Sequence, residues 1–316
     1  MLVLCPSNPT LHGIVQVGPV CQDALSMQST NGSYLTLPHY IFPCATNYMI
    51  PGLPDGVTGV VGLGRSRISL PSQLSSALGL DKRFTICLPS SSKAKGFIVF
   101  GSNGIDISSL PLTYTPLLSN PVSTVIAPRG EPSYEYFIGV KSVTINSKVV
   151  PFNTSMLVID RKSGYGGTKI STGYPYSTLK TEIYKAFIET FIREAEAMKL
   201  KKVAAVEPFA ACFSVLVART KFRPMVPTID LVLESGGVWR MFGGNSMVEV
   251  GKGVMCLGFV EEEIREFKEE EERTSIVIGG HQLEDIVLRF DLALSTMAFS
   301  AAQSTCSKYF NFTSKA

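Results

Sequence analysis

The sequence predicts a mostly-β fold, and three observations predict it. Helical periodicity is confined to two stretches. Most other apolar residues fall in short β-branched or aromatic runs. Those runs are cut at close intervals by Gly, Pro, Asn and Ser, the residues that turn a chain.

In chain order, the first expected helix runs from about Pro71 to Leu78, and Phe97-Ile98-Val99-Phe100 then reads as a strand. From Leu110 to Pro132 the chain is rich in proline and poor in charge, which reads as a connection between two halves. The boundary is placed near 120–132, giving one unit over 1–120 and another over 133–316. Tyr136-Phe137-Ile138-Gly139-Val140 is a strand in this reading. The longer helix runs from Leu179 to about Leu200, because Ile183, Ala186, Phe187, Thr190 and Phe191 repeat near helical spacing. Ser177 and Thr178 precede it as candidate caps. Ile229-Asp230-Leu231-Val232-Leu233 and Ile276-Val277-Ile278 are further strands. Between strands ending at Phe259 and starting at Thr274 lies the charge run Glu261–Arg273, read as a solvated loop or hairpin tip.

Composition narrows the function classes. The 316 residues, 45% of them hydrophobic, suffice for one large domain or two lobes. No apolar run approaches the roughly 20 residues that cross a bilayer, so no membrane span is expected. A net charge of +3 without a basic stripe interleaved with aromatics does not point to nucleic acid. His12, His39 and His281 are few and scattered, and none of the seven cysteines forms Cys-x-x-Cys, which argues against a metal site. Gly59, Gly62 and Gly64 match neither a dinucleotide fingerprint nor a phosphate loop, so no cofactor is expected. They read instead as close packing at a strand turn. Sequons at Asn31, Asn153 and Asn311, with the scattered cysteines, favour the secretory pathway. Met1-Leu2-Val3-Leu4-Cys5-Pro6 lacks the basic and apolar regions of a signal peptide.

Several segments resemble one family, in order along nearly the whole chain. They are Gly59–Arg65 with Ile68–Leu74, Arg83–Leu88, Tyr134–Val143, Pro208–Phe213, Asn245-Ser246-Met247, Val254–Phe259, Ser275–Asp285 and Phe290-Asp291-Leu292. This set is similar to the plant extracellular dermal glycoproteins, basic globulins and xylanase or xyloglucanase inhibitors. The resemblance implies a pepsin-like bilobal aspartic-protease fold. It also implies a lengthy segment ahead of the residue matching Cys5, and hence an incomplete, N-terminally truncated first lobe here.

Gly167-Thr168-Lys169-Ile170-Ser171-Thr172-Gly173 matches the place where a pepsin-type lobe presents its catalytic aspartate, with Ser171 in the aspartate's position. No Asp-Thr-Gly or Asp-Ser-Gly occurs elsewhere in the chain. A pepsin-type site needs two carboxylates sharing one proton. The expectation is a scaffold without peptidase chemistry and with no catalytic residue. Asp160, followed by Arg161-Lys162, reads as a surface ion pair. A Ser171–His281–Asp285 triad finds no support in a nucleophile elbow or a known order.

The resemblance further implies disulfides Cys212–Cys256 and Cys87–Cys306. It leaves Cys5, Cys21 and Cys44 as orphans, with a Cys5–Cys44 or Cys5–Cys21 bond open. The function it implies is inhibition of microbial cell-wall glycoside hydrolases, outside the cell or in the cell wall. Lys221 and Arg223 in one second-lobe loop, and Gln303 before Cys306, are the inhibitory candidates. Two other readings stay open: an aspartic-type endopeptidase by fold, and a storage or peptide-binding protein using the vacant cleft.

Overall fold

Three strands, β1 (Val3–Leu4), β2 (Gly18–Gln28) and β3 (Tyr34–Pro43), form an antiparallel sheet in that order. β2 and β3 pair along their length, from Val20 opposite Pro43 to Gln28 opposite Tyr34. Helix α1 (Leu70–Leu78) lays Leu70 and Leu74 against Leu37 of this sheet. Gly79 ends the helix at φ +65°, a conformation open to glycine, and its N–H bonds the Ser75 carbonyl. This computed structural model describes residues 3–4, 18–29, 32–44, 56–102, 110–123, 131–214, 224–262, 273–301 and 306.

The strands that follow are β4 (Arg83–Cys87), β5 (Phe97–Phe100), β6 (Leu112–Leu118), β7 (Tyr136–Ile138), β8 (Val140–Ile145), β9 (Lys148–Val149), β10 (Thr168–Ile170) and β11 (Ser177–Leu179). Helix α2 (Thr181–Ala197) precedes β12 (Lys201–Val203), β13 (Cys212–Ser214), β14 (Ile229–Leu233) and β15 (Val238–Met241). A single helical turn, α3 (Gly243–Ser246), leads to β16 (Met247–Gly251), β17 (Val254–Leu257), β18 (Phe259–Glu261) and β19 (Ile276–Ile278). A second such turn, α4 (Gly280–Leu283), leads to β20 (Val287–Asp291) and β21 (Thr296–Ser300).

Ten of these strands make one sheet, in the order β18-β11-β19-β10-β7-β6-β21-β20-β4-β5. The order mixes early and late strands: β20 and β21 sit between β4 and β6. Two four-stranded sheets, β12-β13-β17-β16 and β15-β14-β8-β9, complete the architecture. One apolar core joins the large sheet to α2 and to β14 and β15. Its aromatic contacts include Phe84 stacked on Phe290 at 4.8 Å, Trp239 stacked on Phe299 at 4.6 Å, and Phe187 against Phe259 at 4.8 Å. Placing Ile183, Phe187 and Phe191 on one helical face is what lets α2 bury that face.

The architecture is mostly β, and the expected strands at 97–100, 229–233 and 276–278 lie where the sequence places them. Three local expectations need correction. Ser177 and Thr178 do not cap the long helix; they belong to β11, and the helix starts after Lys180, whose side chain makes no capping bond. The run 136–140 is not one strand, because Gly139 divides β7 from β8 as the chain leaves one sheet for another. A side chain at Gly139 would come within 2.5 Å of the Glu234 carboxylate. The glycines at 59 and 62 are not closely packed: the space beside them is open, and Val60 and Val61 are exposed. Of the three, only Gly64 is close-packed: a Cβ added there would meet the Tyr134 carbonyl oxygen at 3.2 Å.

Candidate functional site

Ser171 lies at the end of a short, fully buried strand. β10 is flanked by β7, which runs antiparallel to it, and by β19, which runs parallel. The next strand in sequence, β11, lies on the far side of β19. Two consecutive strands therefore straddle a third that arrives about a hundred residues later, and the Ser171-Thr172-Gly173 turn joins them across its end. The Ser171 N–H bonds the Ile278 carbonyl at 3.0 Å, extending the ladder into the turn. The Ser171 hydroxyl accepts the Gly173 N–H at 3.2 Å, a side-chain turn bond typical of serine. The turn is thus held by a neutral hydroxyl.

A clamp of polar side chains secures the same end of β19 from the side of β11. Gln282, fully buried on α4, accepts the Ser177 N–H at 2.9 Å and the Ser177 hydroxyl at 2.8 Å. Its amide donates to the carbonyls of Asn245 at 3.1 Å and Gly258 at 2.9 Å. The Ser177 hydroxyl in turn accepts the Gly279 N–H at 3.0 Å. Gly279 sits so close to the 176–177 backbone that a Cβ there would meet the Tyr176 carbonyl carbon at 2.3 Å. Gln282 does not stand out in the sequence, where His281 draws the eye, and Ser177 stands out only as a candidate helix cap. No local signal marks Gln282, which stands between His281 and Leu283-Glu284-Asp285; its burial in the fold is what makes its bonds necessary.

Beside Ser171 in sequence, Lys169 is 2% exposed, and its ammonium pairs with Glu135 at 3.0 Å. The same ammonium lies 5.5 Å from the Tyr174 ring centre. A lysine inside a β-branched strand was not legible as buried; the ion pair explains how it is tolerated. Nearby, burial raises the Tyr136 phenol well above its ordinary value, and its hydroxyl donates to the Leu63 carbonyl.

Ser171, His281 and Asp285 do not assemble into a triad. The His281 ring nitrogens face Glu284 at 3.2 Å and the Met247 carbonyl at 3.1 Å, while the Asp285 carboxylate takes the Ser90 hydroxyl. Asp160 is not held as an ion pair, which corrects the reading from its basic neighbours. It accepts the Lys162 N–H and the Ser163 hydroxyl, and these two bonds are the largest causes of its lowered pKa, with the charge of Lys162 a smaller one. Among the described residues no group of three or more His, Cys, Asp and Glu side chains is arranged to hold a metal. No described helix is long and apolar enough to cross a membrane.

Cys87 is bonded to Cys306 and Cys212 to Cys256. Cys21 is bonded to Cys44, a pairing that neither alternative involving Cys5 anticipated. The β2–β3 hairpin explains it: Cys21 lies opposite Phe42, within two residues of Cys44. Asn153 is exposed, and its side chain caps the turn Thr154–Leu157 by accepting the Ser155 N–H. Asn31, Asn311, Cys5, Lys221, Arg223 and Gln303 lie outside the described residues.

Two family matches cover most of the chain. Residues 4–102 match the family described as xylanase inhibitor N-terminal, and residues 135–301 match xylanase inhibitor C-terminal. The chain belongs to this xylanase inhibitor-like family. Its similar proteins include the probable aspartic proteinase GIP2 of Nicotiana benthamiana, 44% identical over 98% of this chain and 72% of that protein. The probable aspartic proteinase GIP1 of Glycine max is 44% identical over 88% of this chain and 66% of that protein. Among solved structures, edgp superposes with a TM-score of 0.88 at 46% identity, covering 97% of this chain and 76% of that one. Soybean basic 7S globulin gives 0.76 at 33% identity, covering 98% and 76%. The fold is the pepsin-like one of these neighbours. The chain spans about two thirds to three quarters of the length of the proteins it matches.

Proposed function

We propose that this family member is a proteolytically inactive pepsin-like protein that binds and blocks microbial cell-wall glycoside hydrolases, xyloglucanase or xylanase, in plant defence. Secretion to the extracellular space or cell wall is part of the same reading, supported by the family and by three disulfides. The observation that carries inactivity is the serine at the end of β10. A hydroxyl that accepts a turn N–H cannot share a proton as one half of a carboxylate dyad. The observation that carries inhibition is the family match over both halves of the chain.

In this reading the basic side chains of the loop holding Lys221 and Arg223 enter the hydrolase cleft and face its two catalytic carboxylates. Lysine keeps the charge but lacks the fork that grips a carboxylate at two points. Gln303 contributes no charge. Inhibition is therefore expected to weaken with added salt and with Lys221→Ala, and to strengthen with Gln303→Arg. Titration of the purified chain against fungal xyloglucanase and xylanase tests this. An inhibition constant unmoved by either substitution removes these loops from the mechanism.

The relatives named probable aspartic proteinases favour a second reading, an aspartic-type endopeptidase. Acid hydrolysis of a denatured protein substrate, blocked by a pepsin-type inhibitor, would establish it and overturn the first. A storage or peptide-binding role is the reading that relatives named gamma conglutin and basic 7S globulin support. Selective retention of peptides over glycoside hydrolases in a binding assay would favour it.

A further inference from the structure

The ten-stranded sheet has a recess on the face turned away from the core, and its shape follows from strand register. On β4, β20, β21 and β6, Thr85, Arg289, Ala298 and Tyr114 stand opposite one another in a row. The next row on the same face is Arg83, Asp291, Thr296 and Pro116. Alternation sends the residues between them, Phe84, Phe290 and Met297, into the core on the other face. In the first row, alanine lies between an arginine and a tyrosine. Its methyl group cannot fill the gap, so Ala298 becomes a floor with Arg289 and the exposed Tyr114 ring as walls. Leu294, 71% exposed in the β20–β21 turn, closes one end. The recess has a volume of about 200 Å³.

Its two arginines differ. Arg83 is committed: its guanidinium pairs with Asp291 and donates to the Ser102 hydroxyl. Asp291 is committed too, since it also accepts the Leu294 N–H. Arg289 has no hydrogen-bond or ion-pair partner among the described residues. A guanidinium left free on the wall of a concave site, beside an aromatic ring and a leucine, is complementary to a planar anion carried on an apolar body. The volume is smaller than that of ordinary drug-sized pockets, which limits the occupant to about one ring or one side chain.

We propose that this recess is a binding site for a carboxylate on an apolar or aromatic body. The Arg289 fork grips the carboxylate, and Tyr114, Leu294 and Ala298 take the apolar part. Its lining includes neither Ser171 nor any residue invoked for hydrolase inhibition, and it stands or falls independently of that function.

Ligand-observed NMR titration of the full chain with benzoate, benzamide and N-acetylphenylalanine tests the assignment. Benzoate supplies a free small acid, N-acetylphenylalanine mimics the carboxyl end of a polypeptide, and benzamide removes only the charge. At least one acid should bind saturably, and benzamide should bind roughly tenfold or more weakly, as expected for loss of charge-assisted hydrogen bonds. Whichever acid binds identifies the source class. Arg289→Met should abolish the preference for acid over amide. Ala298→Leu, which fills the floor but leaves the arginine, should weaken both. Arg289→Met changes a half-buried side chain and should keep the wild-type melting temperature; Ala298 is 2% exposed, so Ala298→Leu is compared only after its melting transition shows a folded chain. Absence of saturable binding by either acid into the millimolar range overturns the proposal. So does acid binding that persists unchanged in folded Arg289→Met and Ala298→Leu.

Discussion

At the end of β10 one hydroxyl sets what the turn can do. Ser171 and an aspartate would both accept the Gly173 N–H, so the turn survives the exchange while the charge does not. Ser171→Asp should therefore fold normally and still show no acid proteolysis, because one carboxylate is not a dyad. Casein hydrolysis measured across acid pH checks this. Asp291 offers a second prediction at this scale. Burial opposes its ionisation, but the Leu294 N–H and the Arg83 guanidinium outweigh burial and hold its pKa below the ordinary carboxylate value. A depressed folded pKa means that its stabilisation is fully present above the unfolded value near 4 and is lost as pH falls through the folded one. The melting-temperature gap between wild type and Asp291→Asn should be widest near neutral pH and close below about pH 4. A gap that is flat with pH would contradict the ion pair's role.

Short elements here are held by side chains that reach between them. β11 and β19 are three residues each, too little ladder to be secure alone, and Gln282 ties their ends to α3 and β17's neighbourhood through four hydrogen bonds. Gln282→Leu should strand the buried Ser177 N–H and two carbonyls and cost about 2–4 kcal/mol. Urea unfolding of the variant measures it; a loss under half a kilocalorie would mean the clamp is redundant. The same region marks how far the sequence could be read. The strand runs 97–100, 229–233 and 276–278 were legible because β-branched and aromatic clusters bounded by turn residues have few other uses. The start of α2 was not, because Ser177 and Thr178 suit a cap as well as a strand, and only the arrival of Gln282 and β19 from far along the chain decides between them. The turn at Ser171 was legible from its motif. Lys169 with Glu135, Gln282, and the Arg289 recess were not, since each depends on which strands become neighbours.

At the scale of the molecule, the large sheet is stitched from both halves of the chain. β20 pairs with β4 and β21 with β6, and the Cys87–Cys306 disulfide closes a loop of 219 residues across the same seam. In the chain-entropy account so long a loop contributes roughly 5 kcal/mol. Replacing both cysteines with serine should lower stability by about that amount, and by more than the same change at Cys21 and Cys44, whose separation is only 23. Equal thermal losses from the two double variants would argue against the seam as the costlier one to open. The interleaving also bears on how the protein is made. β4 and β6 emerge from the ribosome long before β20 and β21, the strands that lie between them in the sheet and end only at Ser300. At about 5–20 residues per second, that interval lasts on the order of 10–40 s. Throughout it Phe84, Ile86 and Leu117, all buried in the finished molecule, have β5 or β7 beside them but lack β20 and β21. A nascent chain of this kind is a natural client for chaperones that shield apolar segments during translation. Its yield in a heterologous host should depend on their supply more than on the stability of the finished fold.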